Sequence, residues 1–448
     1  MLNFFISPFK SLLSDSSYSK DILFFSTLLI LIPVALISGP ALPDIFLSFI
    51  ALHFLIISIY KKKWSYYKNP IFFGFILFSL YGILRSVFSE LPIESLTTGG
   101  SVFYFRYIFF AMGVWYLLDM NPHLSKCLLL TSLLCILVVS IDGIYQYFFE
   151  INIFGNEKHS YNRLTGLFGD EPIIGRYVAY LSMFTFALIY QNYIKSKKVI
   201  ALSMIFLMIT EVLVFLSGER APLFYLILYT IFIIIFSRSI RLQRIISLII
   251  SGILVFSLVS INPSAKTRII DRTIDQVIIG SSPNDPSISQ TYFPYLPYSS
   301  HHEEHYASAL KMLSDKPIFG IGTNLFRFKC NYPKYEYKTF EGSCSTHPHN
   351  FYIQIFAELG IVGFLFLTTF FLYLLFINLR QFVFLIRSKN DNFISFDSFI
   401  FPILLFIYWW PIIPHMSFYN NWNNILMMLP LGFFMRYLYS NSKNGNFN

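Results

Sequence analysis

The segment HPHNFYIQIFAELGIVGFLFLTTFFLYLLFIN, residues 347–378, places a polar stretch directly before a long apolar run. A helix needs about 20 predominantly apolar residues to cross a bilayer core about 30 Å thick. The run at 351–378 meets this requirement, so we predict a membrane-spanning helix there. Its polar entrance, with His347, His349 and Asn350, then lies at the edge of the membrane.

The rest of the chain repeats this apolar pattern. Of its 448 residues, 55% are hydrophobic and 13% are charged, which is more apolar surface than a soluble protein of this length can bury. We therefore predict an all-α polytopic membrane protein. Its twelve predicted spans lie at 21–38, 41–60, 70–88, 104–119, 125–149, 172–190, 199–216, 221–237, 245–262, 351–378, 398–413 and 423–439.

Basic residues predict the orientation of the spans, because cytoplasmic connections are enriched in lysine and arginine. They cluster in every second connection, at Lys61, Lys62, Lys63, Lys68, Lys195, Lys197, Lys198, Arg238, Arg241, Arg244, Arg380, Arg387 and Lys389. We assign these connections and both termini to the cytoplasm. Topology thus explains the net charge of +9, and we expect no nucleic-acid partner.

A long connection on the opposite side divides the chain into three parts. Residues 1–262 carry the first nine spans, residues 263–350 form an extracytoplasmic loop, and residues 351–448 carry the last three spans and a tail. This loop is too long to be a simple connection between two helices, so we predict that it has a functional role. It contains a predicted amphipathic helix, HHEEHYASALKMLSDKPIFG at 301–320, and five histidines: His301, His302, His305, His347 and His349.

Two cysteines, Cys330 and Cys344, lie in this loop, where an oxidising compartment permits a disulfide. We predict that they pair, which would stabilise the protein by about 3 kcal/mol in the chain-entropy model. Two free thiols are the alternative. The disulfide would hold His347 and His349 against the body of the protein.

Arginines occur where the positive-inside rule disfavours them. Arg85, Arg106, Arg163, Arg176 and Arg220 all fall at the outer ends of predicted spans or in outer turns. Arginine binds phosphate in bidentate fashion and stays charged when desolvated, so the group predicts a diphosphate site. The alternative is pairing with local carboxylates, for which the candidates are Glu90, Glu94, Asp170, Glu171, Glu211 and Glu219.

His349 could act as a general base near neutral pH, or as a metal ligand. The pair His347 and His349 is a poor zinc site alone, and no cysteine or carboxylate completes it at helical spacing. The sequence therefore predicts neither a metal nor a cofactor. A base beside phosphate-binding arginines instead suggests group transfer from a lipid diphosphate, whose leaving charge the arginines would neutralise.

Four stretches resemble the bacterial O-antigen ligase and O-antigen polymerase superfamily. HNFYIQIFAELGIVG has its His-Asn, nine residues, Gly-x-x-Gly pattern, here His349, Asn350, Gly360 and Gly363. RLTGLFGDEPIIG (163–175) is similar to its arginine-containing outer loop, SGERAP (217–222) to its short arginine turn, and ALKMLSDKPIFGIGTNLFRFKC (309–330) to the helix of its large loop. The chain departs from the superfamily pattern in two places. Asp170-Glu171-Pro172 stands where Asn-Pro-Asn is frequent, and the HHEEH stretch stands where an arginine often opens the loop helix. We expect Arg327 to supply the charge of that missing arginine.

The resemblance implies an inner-membrane glycosyltransferase acting on its periplasmic face. The donor would be a glycan on undecaprenyl diphosphate, and the acceptor lipid A–core for a ligase or another lipid-linked glycan for a polymerase. A flippase or transporter of lipid-linked glycans is the rival from another class. His349 would be the base, and we assign substrate binding to Arg220, Arg163, Arg176, Arg106, Arg327, Asn350 and Glu358. Gly360 and Gly363 would let their span approach a neighbouring helix closely.

Overall fold

The computed structural model describes residues 8–12, 18–98, 100–159, 162–274, 300–336, 344–387 and 396–440. These residues form a helical bundle, and each predicted span overlaps one long helix. The helices are α1 Lys20–Ala35, α2 Ala41–Tyr60, α3 Pro70–Val87, α4 Arg106–Met120, α5 Leu124–Phe149, α6 Ile174–Tyr193, α7 Lys197–Leu216, α8 Arg220–Phe236, α9 Arg241–Ile261, the loop helix α10 Ser300–Asp315, α11 Phe351–Arg387, α12 Phe396–Tyr408 and α13 Asn421–Ser440.

Hydropathy explains why these helices form a membrane bundle. Within the described ranges, seven helices are long and apolar enough to cross a bilayer: α1, α2, α3, α5, α7, α9 and α11. Helix α8 and the last part of α12 are shorter apolar helices. The predicted fold class, an all-α polytopic membrane protein, is confirmed.

Burial differs sharply between the centre and the edge of the bundle. Helix α6 is buried on nearly all faces and lies inside, in contact with α5, α7, α8 and α12. Helix α9 shows the opposite pattern, since its buried residues are Arg244, Ser247 and Ser251 while its apolar side chains are mostly exposed. Polar groups therefore face the protein along α9 and apolar groups face outward, as lipid contact requires.

A buried polar network joins α9 to α7 and α8. The guanidinium of Arg244 donates to the carboxylate of Glu211 and to the hydroxyl of Thr230, and its Nη1 donates to Ser247 at 2.8 Å. Ser251 donates to the second oxygen of Glu211 at 2.6 Å. The assignment of Arg244 to a cytoplasmic connection was wrong, because α9 begins at Arg241 and turns Arg244, which is 1% exposed, into the bundle.

A break at Gly360 divides α11. Gly360 has φ 66° and ψ −164°, so the helical hydrogen bonds stop there. The loop segment 317–322 replaces them through four backbone bonds: Ile321 N to Ala357 O (3.1 Å), Gly322 N to Glu358 O (2.9 Å), Ile361 N to Pro317 O (3.0 Å) and Val362 N to Ile318 O (3.4 Å). Buried backbone groups must be paired, so the break and the loop require each other.

The glycines of α11 therefore have a different role from the one predicted. A Cβ on Gly360 would lie 2.3 Å from the carbonyl oxygen of Ile318, which is in the loop. A Cβ on Gly363 would lie 2.4 Å from Leu359 of the same helix. The prediction that these glycines serve contact with a neighbouring helix was wrong; they serve the break and its loop.

We expect Arg244→Met to destabilise the bundle by about 3–5 kcal/mol, because it leaves Glu211 buried without its countercharge. The double variant Glu211→Met/Arg244→Met should regain most of this loss, since neither charge then remains. Thermal unfolding in one detergent would measure both, with the exposed Arg387→Met as control. Equal stability of Arg244→Met and the unaltered protein would remove the pair from the stabilising interactions.

We expect Gly360→Ala to detach segment 317–322 from α11, because an added Cβ meets the Ile318 carbonyl and alanine disfavours a positive φ. Hydrogen exchange at residues 317–326 should then rise clearly. Gly252→Ala is the matched control, since a Cβ at this helical position meets no atom within 4 Å. Unchanged protection of residues 317–326 in Gly360→Ala would contradict the role of the break.

Candidate active site at the polar end of α11

Four histidine rings converge where the large loop meets α11. The ring centroid of His349 lies 4.3 Å from that of His347, 5.2 Å from that of His302 and 5.3 Å from that of His305. His302 and His305 belong to α10, which packs against α11. The loop helix thus contributes two histidines and the entrance of α11 contributes two more.

A disulfide anchors the segment that carries His347 and His349. Cys330 and Cys344 are bonded, with their Cα atoms 4.9 Å apart. Cys330 follows the short helix Phe326–Lys329, and Lys329 donates to Glu90 at 2.5 Å. The bond therefore ties the histidine segment to a part of the loop that is itself fixed to the connection after α3.

Asn350 fixes the start of α11. Its side-chain oxygen accepts from the backbone N–H groups of Tyr352 and Ile353, and its amide nitrogen donates to the Pro411 carbonyl at 2.7 Å. This is helix capping combined with attachment to the connection between α12 and α13. Substrate binding by Asn350 stays a prediction, and these bonds favour a positioning role.

His349 occupies a constrained backbone position. Its φ is 57°, in the left-handed region that non-glycine residues seldom adopt, and its carbonyl accepts from the His415 N–H at 2.6 Å. Residues in such positions cluster at functional sites when the surrounding structure holds them in place. Here the helix cap and the connection around His415 hold it.

Burial and nearby positive charge keep the imidazoles of His347 and His415, beside His349, neutral. Burial, then His349, and then the positive charges of Arg176 and Arg327, lower the pKa of His347 to about 2. Burial and the charge of Arg176 also hold the pKa of His415 well below its usual range. Both imidazoles are therefore neutral near pH 7, and pKa values this low make His347 and His415 poor proton acceptors.

Arg176 reaches this region because Glu219 holds the first turn of α6. The Glu219 carboxylate accepts from the Gly175 N–H at 2.7 Å. A side chain at position 175 is excluded, since a Cβ there would lie 2.3 Å from Ser217 Oγ. The turn before α8 and the start of α6 are thereby locked together, with Arg176 in the first turn of α6 and Arg220 at the start of α8.

Arg163 lies close to the same carboxylate. Its Nη2 donates to the Pro172 carbonyl at 2.7 Å and lies 3.8 Å from Glu219. Burial raises the pKa of Glu219, while the charges of Arg163 and Arg176 lower it. Pairing with a local carboxylate, the alternative to a phosphate site, therefore applies to Arg163 at least in part.

Arg220 begins α8 and contacts the segment after α9. Its Nη1 lies 3.4 Å from the Thr273 hydroxyl, and Arg268 of that segment donates to the Gly218 carbonyl at 2.9 Å. The start of the large loop thus covers the turn that carries Glu219 and Arg220. A ligand that binds Arg220 would contact the loop as well.

Glu358 supports Arg327 through the backbone. Its two oxygens accept from the N–H groups of Asn324 (2.9 Å) and Phe326 (3.0 Å), which lead into the short helix that contains Arg327. The Nε of Arg327 is buried and has no hydrogen-bond partner among the described residues. Glu358 is therefore engaged with the loop, and its predicted role in substrate binding remains untested.

Two predicted arginines lie elsewhere. Arg106 forms an ion pair with Asp44 at 2.8 Å and donates to Asn421 at 3.0 Å. Arg85 donates to the carbonyls of Phe319 (2.9 Å) and Gly320 (3.1 Å), so it secures the loop segment that fills the α11 break. The structure joins neither of these guanidinium groups to the histidine rings by a contact.

A family comparison now bears on this geometry. Residues 203–368 match the O-antigen ligase family. The match supports the resemblance to the O-antigen ligase and O-antigen polymerase superfamily, and it runs from α7 through Arg220, the histidines and the α11 break. A comparison with curated proteins found no match.

Two residues of this region, Glu219 and His415, were not selected as functional by sequence patterns. Glu219 was considered only as a partner for arginine, and His415 was not considered. Both are placed by contacts between elements far apart in the chain: Glu219 by Gly175, and His415 by His349. Within the described ranges, no group of three or more His, Cys, Asp or Glu side chains has the geometry to hold a metal ion.

His347 predicts a pH dependence of stability. Its folded pKa of about 2 lies below the ordinary value of 6.5, so below pH 6.5 the unfolded chain takes up a proton that the folded chain does not. As the pH is lowered through that window, the free energy of unfolding should decrease by up to about 1.4 kcal/mol per pH unit. The melting temperature of His347→Gln should therefore drop less than that of the unaltered protein between pH 7 and pH 5.

The control for this comparison is His123→Gln, which changes a partly buried histidine just before α5. It should keep the full pH dependence of the unaltered protein. Identical losses of melting temperature in His347→Gln and the unaltered protein would contradict the neutral, buried state of His347.

Proposed function

We propose that this protein is a glycosyltransferase of the O-antigen ligase type, which moves a glycan from undecaprenyl diphosphate to a sugar hydroxyl of lipid A–core. The observation that carries the proposal is the contact of the His347 and His349 rings at one end of α11, where the charges of Arg176 and Arg327 act on His347. The family match supports the same class of reaction. We place the protein in the inner membrane with this end facing the periplasm, on the evidence of the basic connections at the other end.

In the proposed step, His349 accepts the proton of the acceptor hydroxyl as that oxygen attacks the anomeric carbon of the donor sugar. A new carbon–oxygen bond forms while the bond from that carbon to the diphosphate oxygen breaks. Undecaprenyl diphosphate leaves with the electron pair, and the proton stays on the imidazole until it is released. The step balances without a nucleotide or another co-reactant.

The arginines would stabilise the leaving diphosphate, because positioned cations act most strongly where charge develops in the transition state. Arg176 and Arg327 are the best placed, since both act electrostatically on His347. Arg220 and Arg163 lie at the same junction through Glu219 and its turn. We assign Arg106 to structure, because it is paired with Asp44 and Asn421.

One assay can distinguish the proposed ligase from two alternative functions. A polymerase would use the same chemistry with a lipid-linked glycan as acceptor. A flippase or transporter would move the donor without making a covalent product. Purified protein in liposomes, given labelled donor with either lipid A–core or unlabelled donor as acceptor, would separate all three by the product formed.

We expect His349→Ala to lower single-turnover transfer by about 10²- to 10⁴-fold, the usual loss on removal of a general base. Donor binding should change little, because the imidazole acts on the acceptor hydroxyl. His159→Ala is the matched control, because this histidine lies in the connection between α5 and α6 and is not one of the four clustered rings. Transfer near the normal rate in well-folded His349→Ala would exclude His349 as the base.

The same assay with arginine variants tests the division of labour. Arg176→Ala and Arg220→Ala should weaken donor binding as well as transfer, and lysine at either position should not fully restore binding, because it lacks the planar fork. A parallel result in which both arginine variants bind donor normally would reject these residues as the diphosphate site while leaving the role of His349 open.

A further inference from the structure

A cleft of about 360 Å³ lies at the end of the bundle opposite the histidines. It is formed where the last turn of α8 meets the last turns of α11, and the rings of Phe236 and Phe382 lie 6.3 Å apart beneath it. Its lining combines two arginines, Arg238 and Arg241, with apolar side chains of both helices. This volume falls in the range of about 300–1,000 Å³ that small-molecule sites occupy.

Protein carbonyls hold the two guanidinium groups in place. Arg241 donates from Nε to the Ile234 carbonyl at 2.7 Å and from Nη2 to the Ile235 carbonyl at 3.1 Å. Arg238 donates from Nη2 to the Leu385 carbonyl at 3.0 Å. A guanidinium has five N–H donors, so each arginine keeps donors beyond these contacts and needs no reorganisation to use them.

Among the described residues that line the cleft, two are arginines and none is acidic, so this part of the lining carries positive charge. The apolar part continues outward along both helices. Ile235, Phe382 and Ile386 are 38%, 41% and 68% exposed, and Ile231 and Leu379 extend the same exposed rows by one turn. The two arginines thus favour an anionic group in the cleft, and the exposed apolar rows of α8 and α11 beside it favour hydrocarbon chains.

We propose that this cleft binds an anionic phospholipid, with the phosphate on Arg238 and Arg241 and the acyl chains along the exposed rows of α8 and α11. Arginine favours phosphate through charge-assisted, often bidentate hydrogen bonds. The second negative charge or polar headgroup of an anionic lipid adds to this attraction, whereas a choline headgroup would place an ammonium beside two arginines. Basic sites between helices at the cytoplasmic face commonly attract anionic lipids, and this end carries the basic connections.

The test is native mass spectrometry of the delipidated full chain titrated with phosphatidylglycerol or phosphatidylcholine. We expect one phosphatidylglycerol to bind more tightly than the others and more tightly than phosphatidylcholine. Arg238→Gln/Arg241→Gln should weaken that binding by about tenfold or more, the scale expected for lost charge-assisted hydrogen bonds. Arg387→Gln removes an exposed charge at the same end of α11, outside the cleft, and should leave it unchanged.

A second variant covers the case in which loss of the Arg241 contacts unfolds the end of α8. Ile386→Glu adds a negative charge to an exposed lining position and leaves both arginines intact. It too should weaken phosphatidylglycerol binding at an unchanged melting temperature. Inorganic phosphate should not displace the lipid at equal concentration; displacement would mean a simple anion site. Equal lipid affinities for unaltered protein and Ile386→Glu, or equal binding of the two lipids, would overturn the proposal.

Discussion

The break of α11 at Gly360 is the constraint on which the histidine-bearing half of the molecule depends. A helix crossing a membrane cannot leave carbonyl and N–H groups unpaired. The loop segment 317–322 supplies those partners, and Arg85 secures the same segment through the carbonyls of Phe319 and Gly320. Two residues before the break, Glu358 binds the backbone that leads to Arg327. The large loop is thus joined to the membrane bundle by backbone geometry as well as by a small apolar cluster in which Met312, Leu325 and Phe326 pack with Ala357 of α11.

The same logic places the remaining charges. Arg176 and Arg163 meet a carboxylate, Glu219, that is itself needed to bind the start of α6, so the carboxylate neutralises part of the charge without consuming every donor. Burial, and then the charges of His349, Arg176 and Arg327, lower the pKa of His347 and keep its imidazole neutral. A neutral imidazole can lie this close to the arginines because protonation would add a buried positive charge beside them.

Sequence patterns predicted the spans and much of the loop, because hydropathy and length act locally along the chain. They also selected His349 and the helix that carries His302 and His305, from residue type and position. They could not predict that Gly360 breaks its helix, because the partner of the break lies in the loop. Nor could they place Arg244 inside the bundle, because its partner Glu211 is on another helix. What failed was pairing between distant elements, which no local pattern encodes.

Residue type alone also proved a weaker guide than the environment of each side chain. Arginine at the outer ends of spans predicted a phosphate site, yet Arg85 and Arg106 donate to protein carbonyls, a carboxylate and an amide. At the opposite end, Arg241 and Arg244 also have protein acceptors, whereas Lys61–Lys63 are exposed. Arginine in this protein therefore marks places where a planar set of donors is fixed by acceptors. A ligand site needs more, namely donors that remain after those acceptors are satisfied. Within the described residues the buried Nε atoms of Arg106, Arg163, Arg244 and Arg327 remain in this way, and of these Arg327 also acts electrostatically on His347 in the histidine cluster.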